Sequence, residues 1–123
     1  YTADIVVAMI PDTQNVAQRL SRAPLSREEW QALGRAIRQM HDRQVFHSDL
    51  NCHNLLLDDS GRAWIVDFDK CGIRGEHHWK QQNLDRLLRS LRKEKRKRAS
   101  FFWEEASWEP LTRGYGDTSN NLA

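Results

Sequence analysis

The sequence is poor in the residues that build cross-linked, membrane-spanning or low-complexity proteins. Its 123 residues include two cysteines, three prolines and six glycines. Two cysteines are too few for a disulfide framework, which favours a reducing compartment. No apolar run approaches the roughly 20 residues that a membrane-spanning helix requires. The composition, with 39% hydrophobic and 29% charged residues, is typical of one globular domain at most.

Positive charge is concentrated in residues 86–98. This segment contains eight Arg or Lys and one Glu, although the net charge of the chain is only +2. A run of this density predicts either an anionic partner or the solvated face of a helix. Nucleic acid is not the expected partner, because the rest of the chain is acidic and no aromatic residue interleaves with the basic run.

Hydrophobic periodicity predicts mostly helices. Residues 12–22 predict a short amphipathic helix. Ser26 and Glu29 have the spacing of a capping box, which predicts a long helix that runs to about Arg43. A second long helix, amphipathic and basic, is expected over residues 78–98.

Strands are expected at two places. Residues 4–10 are β-branched and apolar, which predicts a buried strand. A strand–turn–strand follows the first long helix, with turn residues at 59–61, a return strand over 64–68 and a loop over 72–78. One more helix is expected before Pro110, with a loose tail from Arg113. The expected fold class is α+β, mostly helical with a small β-hairpin.

Three oxygen-bearing side chains flank this hairpin. The stretch from His47 to Asn54 has the pattern H-x-D-L-x-x-x-N, and Asp67 ends the return strand just before Phe68. Phosphoryl transfer requires a carboxylate that accepts the proton of the attacking hydroxyl, and Asp49 is placed for this. Mg²⁺ prefers hard oxygen ligands, which Asn54 and Asp67 supply. A hairpin brings its two ends together, so these residues are expected to converge.

Two other interpretations of the segment are weaker. An ordinary polar loop, with Asp49 as a turn former and Asn54 as a cap, explains each residue singly but not the joint pattern. A zinc site would have to use the histidines and cysteines of the region, and their spacing fits no standard ligand pattern.

The segment resembles the catalytic loop and metal-binding segment of the protein-kinase-like fold. The resemblance implies that Asp49 is the catalytic base and that Asn54 and Asp67 bind the magnesium of Mg-ATP. It further implies a single partial domain over residues 1–123, the C-terminal lobe of a kinase. Residues 46–70 would then be its catalytic loop and metal-binding hairpin, and residues 78–98 its basic helix.

The same resemblance assigns nucleotide contacts. Residues 1–11 would be the last strand of the N-terminal lobe and the hinge, where adenine bonds to the carbonyl of Ala8 and the N–H of Ile10. Leu56 would form the apolar floor beneath adenine. Ordinary core packing is an equally good interpretation of these residues. Asp85 either hydrogen-bonds the catalytic-loop backbone, as in that fold, or is an acidic residue of the helix start.

Longer stretches narrow the family. "HSDLNCHNLLLD", "WIVDFDK" and "NLDRLLRSLRKE" resemble the 3-deoxy-D-manno-octulosonic acid (Kdo) kinases, of the lipopolysaccharide kinase family of Gram-negative bacteria. The resemblance covers roughly residues 1–110 and implies transfer of phosphate from ATP to the 4-hydroxyl of Kdo in Kdo-lipid A. It implies a peripheral location at the cytoplasmic face of the inner membrane, with Arg89–Arg98 against anionic lipid. The alternatives are a heptose or other small-molecule kinase and a non-catalytic, kinase-like membrane-binding module.

The sequence departs from the broader kinase pattern at three points. Ser48 stands where many protein kinases have Arg, and Asp69 stands where Gly usually follows Asp-Phe. Only about ten residues separate Asp69 from the next predicted helix, which is too few for a peptide-binding segment. The acceptor is therefore expected to be small or lipid-linked.

The chain lacks the residues that grip the ATP phosphates in this fold. Its five lysines all follow Asp49, and its only earlier glycine, Gly34, lies in a predicted helix, where it permits close packing. A glycine-rich loop and a strand lysine are therefore absent. We expect the N-terminal lobe to be missing and this chain alone to be inactive.

Overall fold

The protein, seen in a computed structural model that describes residues 13–67, 71–73 and 78–116, combines helices with short antiparallel strands. The helices are α1 (Val16–Leu20), α2 (Arg27–Asp42), α3 (His78–Lys97) and α4 (Trp108–Gly116), and a 3₁₀ turn spans Glu105–Ser107. The strands are β1 (Gln14–Asn15), β2 (Val45–His47), β3 (Leu55–Leu57), β4 (Ala63–Ile65) and β5 (Cys71–Ile73). The predicted α+β class, mostly helical with a small hairpin, is confirmed. The strand and hinge predicted over residues 1–11 lie outside the described residues.

Helix α2 begins at the predicted cap. The Ser26 hydroxyl accepts a hydrogen bond from the Glu29 N–H at 3.1 Å, and the Glu29 carboxylate accepts one from the Ser26 N–H at 2.9 Å. This reciprocal pair satisfies two backbone donors that the first turn leaves without partners. The apolar stripe of the helix is buried, as its spacing predicts: Trp30, Leu33, Ile37 and Met40.

Helices α2 and α4 touch through their backbones. A Cβ atom on Gly34 would lie 2.0 Å from the carbonyl oxygen of Leu111, and one on Gly114 would lie 2.2 Å from that of Gln31. Only glycine at both positions permits this approach. The prediction that Gly34 allows close packing is therefore confirmed.

Several predicted boundaries are wrong. The helix predicted over residues 12–22 spans only Val16–Leu20, and Gln14–Asn15 before it form strand β1. Residues 71–73 form β5, which pairs with β2, so part of the expected loop is a strand. The return strand β4 spans Ala63–Ile65 and so ends before the predicted limit. The last helix does not stop before Pro110 but begins at Trp108 and continues to Gly116. Proline is compatible with a first helical turn, because its missing N–H would have no intrahelical partner there.

The hairpin β3–β4 is organised by one carboxylate that precedes the predicted turn residues. Asp58 accepts hydrogen bonds from the N–H groups of Ser60 and Arg62, both at 2.9 Å, and from the Trp64 indole at 3.2 Å. The Ser60 hydroxyl also donates to Asp58, at 2.7 Å. This bond most of all, together with the others, lowers the pKa of Asp58 to about 2. Gly61 takes a φ of 84° and completes the turn.

Candidate active site

His47 braces the loop that follows β2. Its imidazole is fully buried, with Nε2 2.9 Å from the carbonyl oxygen of Val66 and Nδ1 3.2 Å from the backbone nitrogen of Asp49. A carbonyl only accepts and a backbone N–H only donates, so Nε2 carries the ring proton and Nδ1 is the acceptor. One side chain thereby connects the backbone at Asp49 to the backbone just before Asp67.

Asn54 makes a second connection between the same two segments. Its side-chain Nδ2 donates to the backbone carbonyl oxygen of Asp49 at 2.6 Å. Its backbone carbonyl oxygen accepts from the Val66 N–H at 3.0 Å. The Asn51 amide also donates to the Asp49 carbonyl, at 2.9 Å. The structure therefore brings together the segments that carry the three predicted site residues, Asp49, Asn54 and Asp67.

The side-chain oxygens of Asn54 and Asp67 suit a hard cation. Because Nδ2 of Asn54 is the atom that faces the Asp49 carbonyl, Oδ1 is left for another partner, and no described residue donates to it. Asp67 is exposed, and its carboxylate pairs with no described residue. Its φ of 69° places it in the left-handed region, which aspartate tolerates better than most residues. Two oxygen donors of this kind fit the incomplete protein ligation that is typical of Mg²⁺.

The carboxylate of Asp49 is accessible. Its side chain is 46% exposed, and Oδ1 lies 3.9 Å from Nη1 of Arg86, whose side chain is 49% exposed. This separation is too long for a hydrogen bond, and ion pairs between exposed groups contribute at most about 1 kcal/mol. Asp49 is thus positioned by its backbone bonds, while its oxygens remain available to a substrate.

Asn83 of α3 holds the backbone of His47. Its Oδ1 accepts from the His47 N–H at 3.3 Å, and its Nδ2 donates to the His47 carbonyl at 2.7 Å. The hydrogen bond to the loop that the kinase resemblance assigns to Asp85 is therefore made by Asn83. The Asp85 carboxylate instead accepts from the Gln81 amide at 2.9 Å, within the same helix.

A buried chain of hydrogen bonds continues from Asn83 to α4. His41 Nε2 lies 3.1 Å from Oδ1 of Asn83, and His41 Nδ1 lies 2.7 Å from the hydroxyl of Tyr115. Burial disfavours the imidazolium and lowers the pKa of His41 to about 4. A neutral His41 with its proton on Nε2 satisfies both contacts, because Asn83 Oδ1 can only accept.

Two further residues of α3 hold the loop beyond Asp49. The Ser90 hydroxyl accepts from the Cys52 N–H at 3.1 Å, and the Glu94 carboxylate lies 3.3 Å from Nε2 of His53. Glu94 is buried, and its 2.6 Å bond to Arg98 lowers its pKa. Asn83, Ser90 and Glu94 interrupt an otherwise apolar stripe of α3, and polar residues in such a stripe are the signal that sequence reasoning missed.

The predicted nucleotide contacts are only partly described. Leu56 lies in β3 between Leu55 and Leu57, which are both buried in the core, and it is itself only half-buried. Since strand side chains alternate, Leu56 points to the face opposite the core. Its assignment to the adenine pocket stays a prediction. Ala8 and Ile10 lie outside the described residues, as does Asp69.

The basic segment Arg89–Arg98 is largely paired within the molecule. Arg92 bonds to Glu105 through two nitrogens, each at 2.9 Å, and Lys95 lies 3.5 Å from Glu104. Lys97 and Arg98 both approach Glu94. The cations of this segment that pair with no described residue are Arg89, Lys93 and Arg96.

The described parts of the chain contain neither a cluster of metal-binding side chains nor a membrane-spanning helix. Within residues 13–67, 71–73 and 78–116, no group of three His, Cys, Asp or Glu side chains could hold a metal ion. No helix in these ranges is long and apolar enough to cross a membrane.

Known proteins resemble this chain over most of its length. The model of the lipopolysaccharide kinase (Kdo/WaaP) family matches residues 1–115. The chain belongs to this family. A relative from Mannheimia succiniciproducens, named 3-deoxy-D-manno-octulosonic acid kinase, is 43% identical over 119 residues, which cover 94% of this chain and 49% of that protein.

Two further relatives carry the same name. The one from Vibrio cholerae is 47% identical over 98 residues, 80% of this chain and 42% of the relative. The one from Haemophilus influenzae strain PittGG is 42% identical over 118 residues, 94% of this chain and 48% of the relative. The chain thus spans about half the length of the curated relatives it matches.

Proposed function

We propose that the protein transfers the γ-phosphoryl group of ATP to the 4-hydroxyl of Kdo in Kdo-lipid A, during assembly of the lipopolysaccharide core. Membership of the lipopolysaccharide kinase family and the name shared by its relatives support this activity. The observation that carries the residue assignment is the position of Asn54. Its side-chain amide donates to the Asp49 carbonyl, and its backbone carbonyl accepts from the Val66 N–H. This position supports the proposal that Asp49 is the proton acceptor and that Asn54 and Asp67 are the magnesium ligands.

In the proposed reaction, Asp49 accepts the proton of the Kdo 4-hydroxyl while that oxygen forms a bond to the γ-phosphorus. The bond from the γ-phosphorus to the bridging oxygen of ADP breaks, and ADP leaves with that electron pair. Asn54 and Asp67 would hold Mg²⁺, which neutralises charge on the phosphate oxygens. His47 keeps the Asp49 backbone in place through its Nδ1.

We further propose that residues 1–123 act as the C-terminal lobe of the kinase. No lysine precedes Asp49, and the only earlier glycine, Gly34, is buried against α4. The groups that hold the β- and γ-phosphates in this fold must then come from outside the 123 residues. The 123-residue chain alone is expected to transfer no phosphate to Kdo-lipid A. Measurable turnover by the isolated chain would contradict this division of roles.

The central test uses the full-length protein that contains this segment. Asp49→Ala is expected to lower kcat by about 10²-fold or more, because a general base contributes 10²–10⁴-fold, while ATP affinity stays nearly unchanged. Phosphorylated Kdo-lipid A is measured by mass spectrometry and ATP affinity by calorimetry. Asp59→Ala is the matched control, since Asp59 is exposed on the hairpin turn. Equal turnover of the two variants would refute the role of Asp49.

The acceptor is tested separately with a panel of sugars. Kdo-lipid A, free Kdo, a heptose and a neutral hexose are offered to the same preparation. Faster phosphorylation of the heptose than of both Kdo substrates would assign the protein to the heptose kinases. Binding of anionic vesicles with no phosphorylation of any sugar would favour the non-catalytic module.

We also propose that the protein associates with the cytoplasmic face of the inner membrane. The support is that Lys93 and Arg96 project from α3 without a described ion-pair partner. Each basic residue near an anionic surface contributes about 1 kcal/mol. Replacing both with Gln should weaken sedimentation with anionic vesicles roughly tenfold or more at low salt. Unchanged sedimentation would remove these residues from the membrane contact.

A further inference from the structure

A cavity of about 240 Å³ lies beside the candidate active site, between β2 and one face of α3. Its lining residues are Phe46, Gln82, Asn83, Asp85, Arg86 and Arg89. The α3 residues among them recur at steps of three and four, so they share one face of the helix. Since Arg86 approaches the Asp49 carboxylate to 3.9 Å, the cavity opens next to the proposed catalytic base.

The side chains that line the cavity are suited to binding an anionic sugar. Arg86 and Arg89 supply two guanidinium groups, and Asp85 and Gln82 supply partners for hydroxyl groups. Phe46 supplies an apolar wall on which the C–H face of a sugar ring can pack. Its volume suits one sugar residue and is too small for a lipid with its acyl chains.

The two arginines are available for such a ligand. Arg89 pairs with no described residue, and the contact of Arg86 with Asp49 is too long to use a hydrogen bond. A guanidinium has five donors in a planar fork, so Arg86 can bind an anionic oxygen group and remain beside Asp49. An acceptor held in this way would present a neighbouring hydroxyl to the Asp49 oxygens.

We propose that Arg86 and Arg89 form the acceptor subsite and bind an anionic oxygen group of the sugar substrate. This inference rests on the proposed function and names the residues that select the acceptor. The anionic group is either the carboxylate of Kdo, an acid by its name, or a phosphate of lipid A. Both present the same oxygens to a guanidinium fork.

The test compares the full-length protein with its Arg86→Gln/Arg89→Gln variant on free Kdo and on the methyl ester of Kdo. The variant should raise KM for Kdo by about tenfold or more, the loss expected when bonds to charged groups are removed, with a smaller change in kcat. The wild type should prefer the acid to its ester, and the variant should not. Arg86→Lys keeps the charge without the fork and should restore only part of the affinity.

The source of the anionic group is identified in a second arm. Kdo-lipid A and the same lipid without its phosphates are compared for both proteins. If the variant no longer distinguishes free Kdo from its methyl ester, the arginines bind the carboxylate. If the variant fails only to distinguish the two lipids, the arginines bind a phosphate. If the variant discriminates as well as the wild type in both arms, the proposal is overturned. Arg35→Gln/Arg43→Gln removes the same number of charges from residues that do not line the cavity and should leave KM for free Kdo unchanged.

Binding without ATP separates this proposal from the reaction. Free Kdo and Kdo-lipid A are each titrated into each protein, and binding is followed by NMR. Wild-type binding that the Arg86→Gln/Arg89→Gln variant loses would support the subsite even if no phosphate were transferred, in which case only the proposed function would fail. No binding of Kdo or Kdo-lipid A by the wild type would overturn the subsite.

Discussion

Asn83 fixes the backbone of His47, from which the loop that carries Asp49 continues. Its amide makes three buried contacts, with His41 Nε2, the His47 N–H and the His47 carbonyl, at 3.1, 3.3 and 2.7 Å. Asn83→Ala leaves all three groups unpaired, and each such buried group costs about 1–3 kcal/mol. Asn83 also lines the cavity beside α3, so water can reach part of the vacated space. We therefore expect a loss of about 3 kcal/mol, near the lower sum.

Asn83→Asp tests the direction of these bonds. An aspartate retains the two acceptor contacts but places its second oxygen against the His47 carbonyl, where the amide donated at 2.7 Å. Two acceptors at that distance repel each other. The variant should therefore be destabilised at neutral pH and should recover as pH falls, because the protonated carboxyl can donate to the carbonyl.

The assay is urea unfolding of the wild type, the two Asn83 variants and a control. Gln82→Ala is the matched control, since Gln82 is the exposed neighbour on α3 and its loss should change stability by at most about 0.5 kcal/mol. A cost below about 1 kcal/mol for Asn83→Ala would refute the argument from unpaired groups. Asn83→Asp as stable as the wild type at pH 7 would refute the assigned direction of the amide.

Three other predictions concern stability and are checked by urea unfolding. Gly34→Ala should cost about 1–3 kcal/mol despite its better helix propensity, because the added Cβ meets the Leu111 carbonyl oxygen at 2.0 Å. In the folded protein His41 stays neutral down to about pH 4, whereas in the unfolded chain it takes up a proton near pH 6.5. Its contribution to the free energy of unfolding, up to about 3 kcal/mol, is therefore present above pH 6.5 and is lost as pH falls to 4. His41→Gln should lack this part of the pH dependence, and an unchanged profile would contradict it. Gln44→Gly should stabilise the protein by about 1 kcal/mol, because Gln44 has a φ of 62° and a buried Oε1 without a partner among the described residues. A loss of stability would show that the packing of the Gln44 side chain outweighs the backbone strain and the unpaired oxygen.

Features that depend on only a few neighbouring residues were predictable from the sequence. The cap of α2 depends on Ser26 and Glu29, three positions apart, and the burial of its stripe depends on a repeat of three and four. The site segment was likewise predictable, because Asp49 and Asn54 are five residues apart and a hairpin returns the chain to Asp67. Their convergence follows from a single turn, although the roles of these residues stay predictions.

Features that depend on distant partners were not predictable in this way. Strand β5 is three residues long, and its partner β2 lies more than 20 residues earlier, so no local alternation marks it. Asp58 and Asp59 are equally plausible turn residues in the sequence, and only the observed hydrogen bonds distinguish them. That Asn83 rather than Asp85 bonds to the His47 backbone depends on how α3 packs against β2, and this long-range contact is not specified by the helical repeat of α3 alone.

The rotation of α3 about its axis also relates the candidate catalytic loop to the proposed acceptor subsite. Asn83 and Ser90 on one face hold the backbone of the loop, while Arg86 and Arg89 on the adjoining face line the cavity. A shift of one residue along the helix would rotate both faces by about 100° and would break both sets of contacts together. Since Leu87 and Leu91 fix this rotation by their burial in the core, core packing also positions the proposed subsite relative to Asp49. A substitution that turns α3 should therefore impair loop order and acceptor affinity jointly, whereas a substitution at Arg89 should impair acceptor affinity alone.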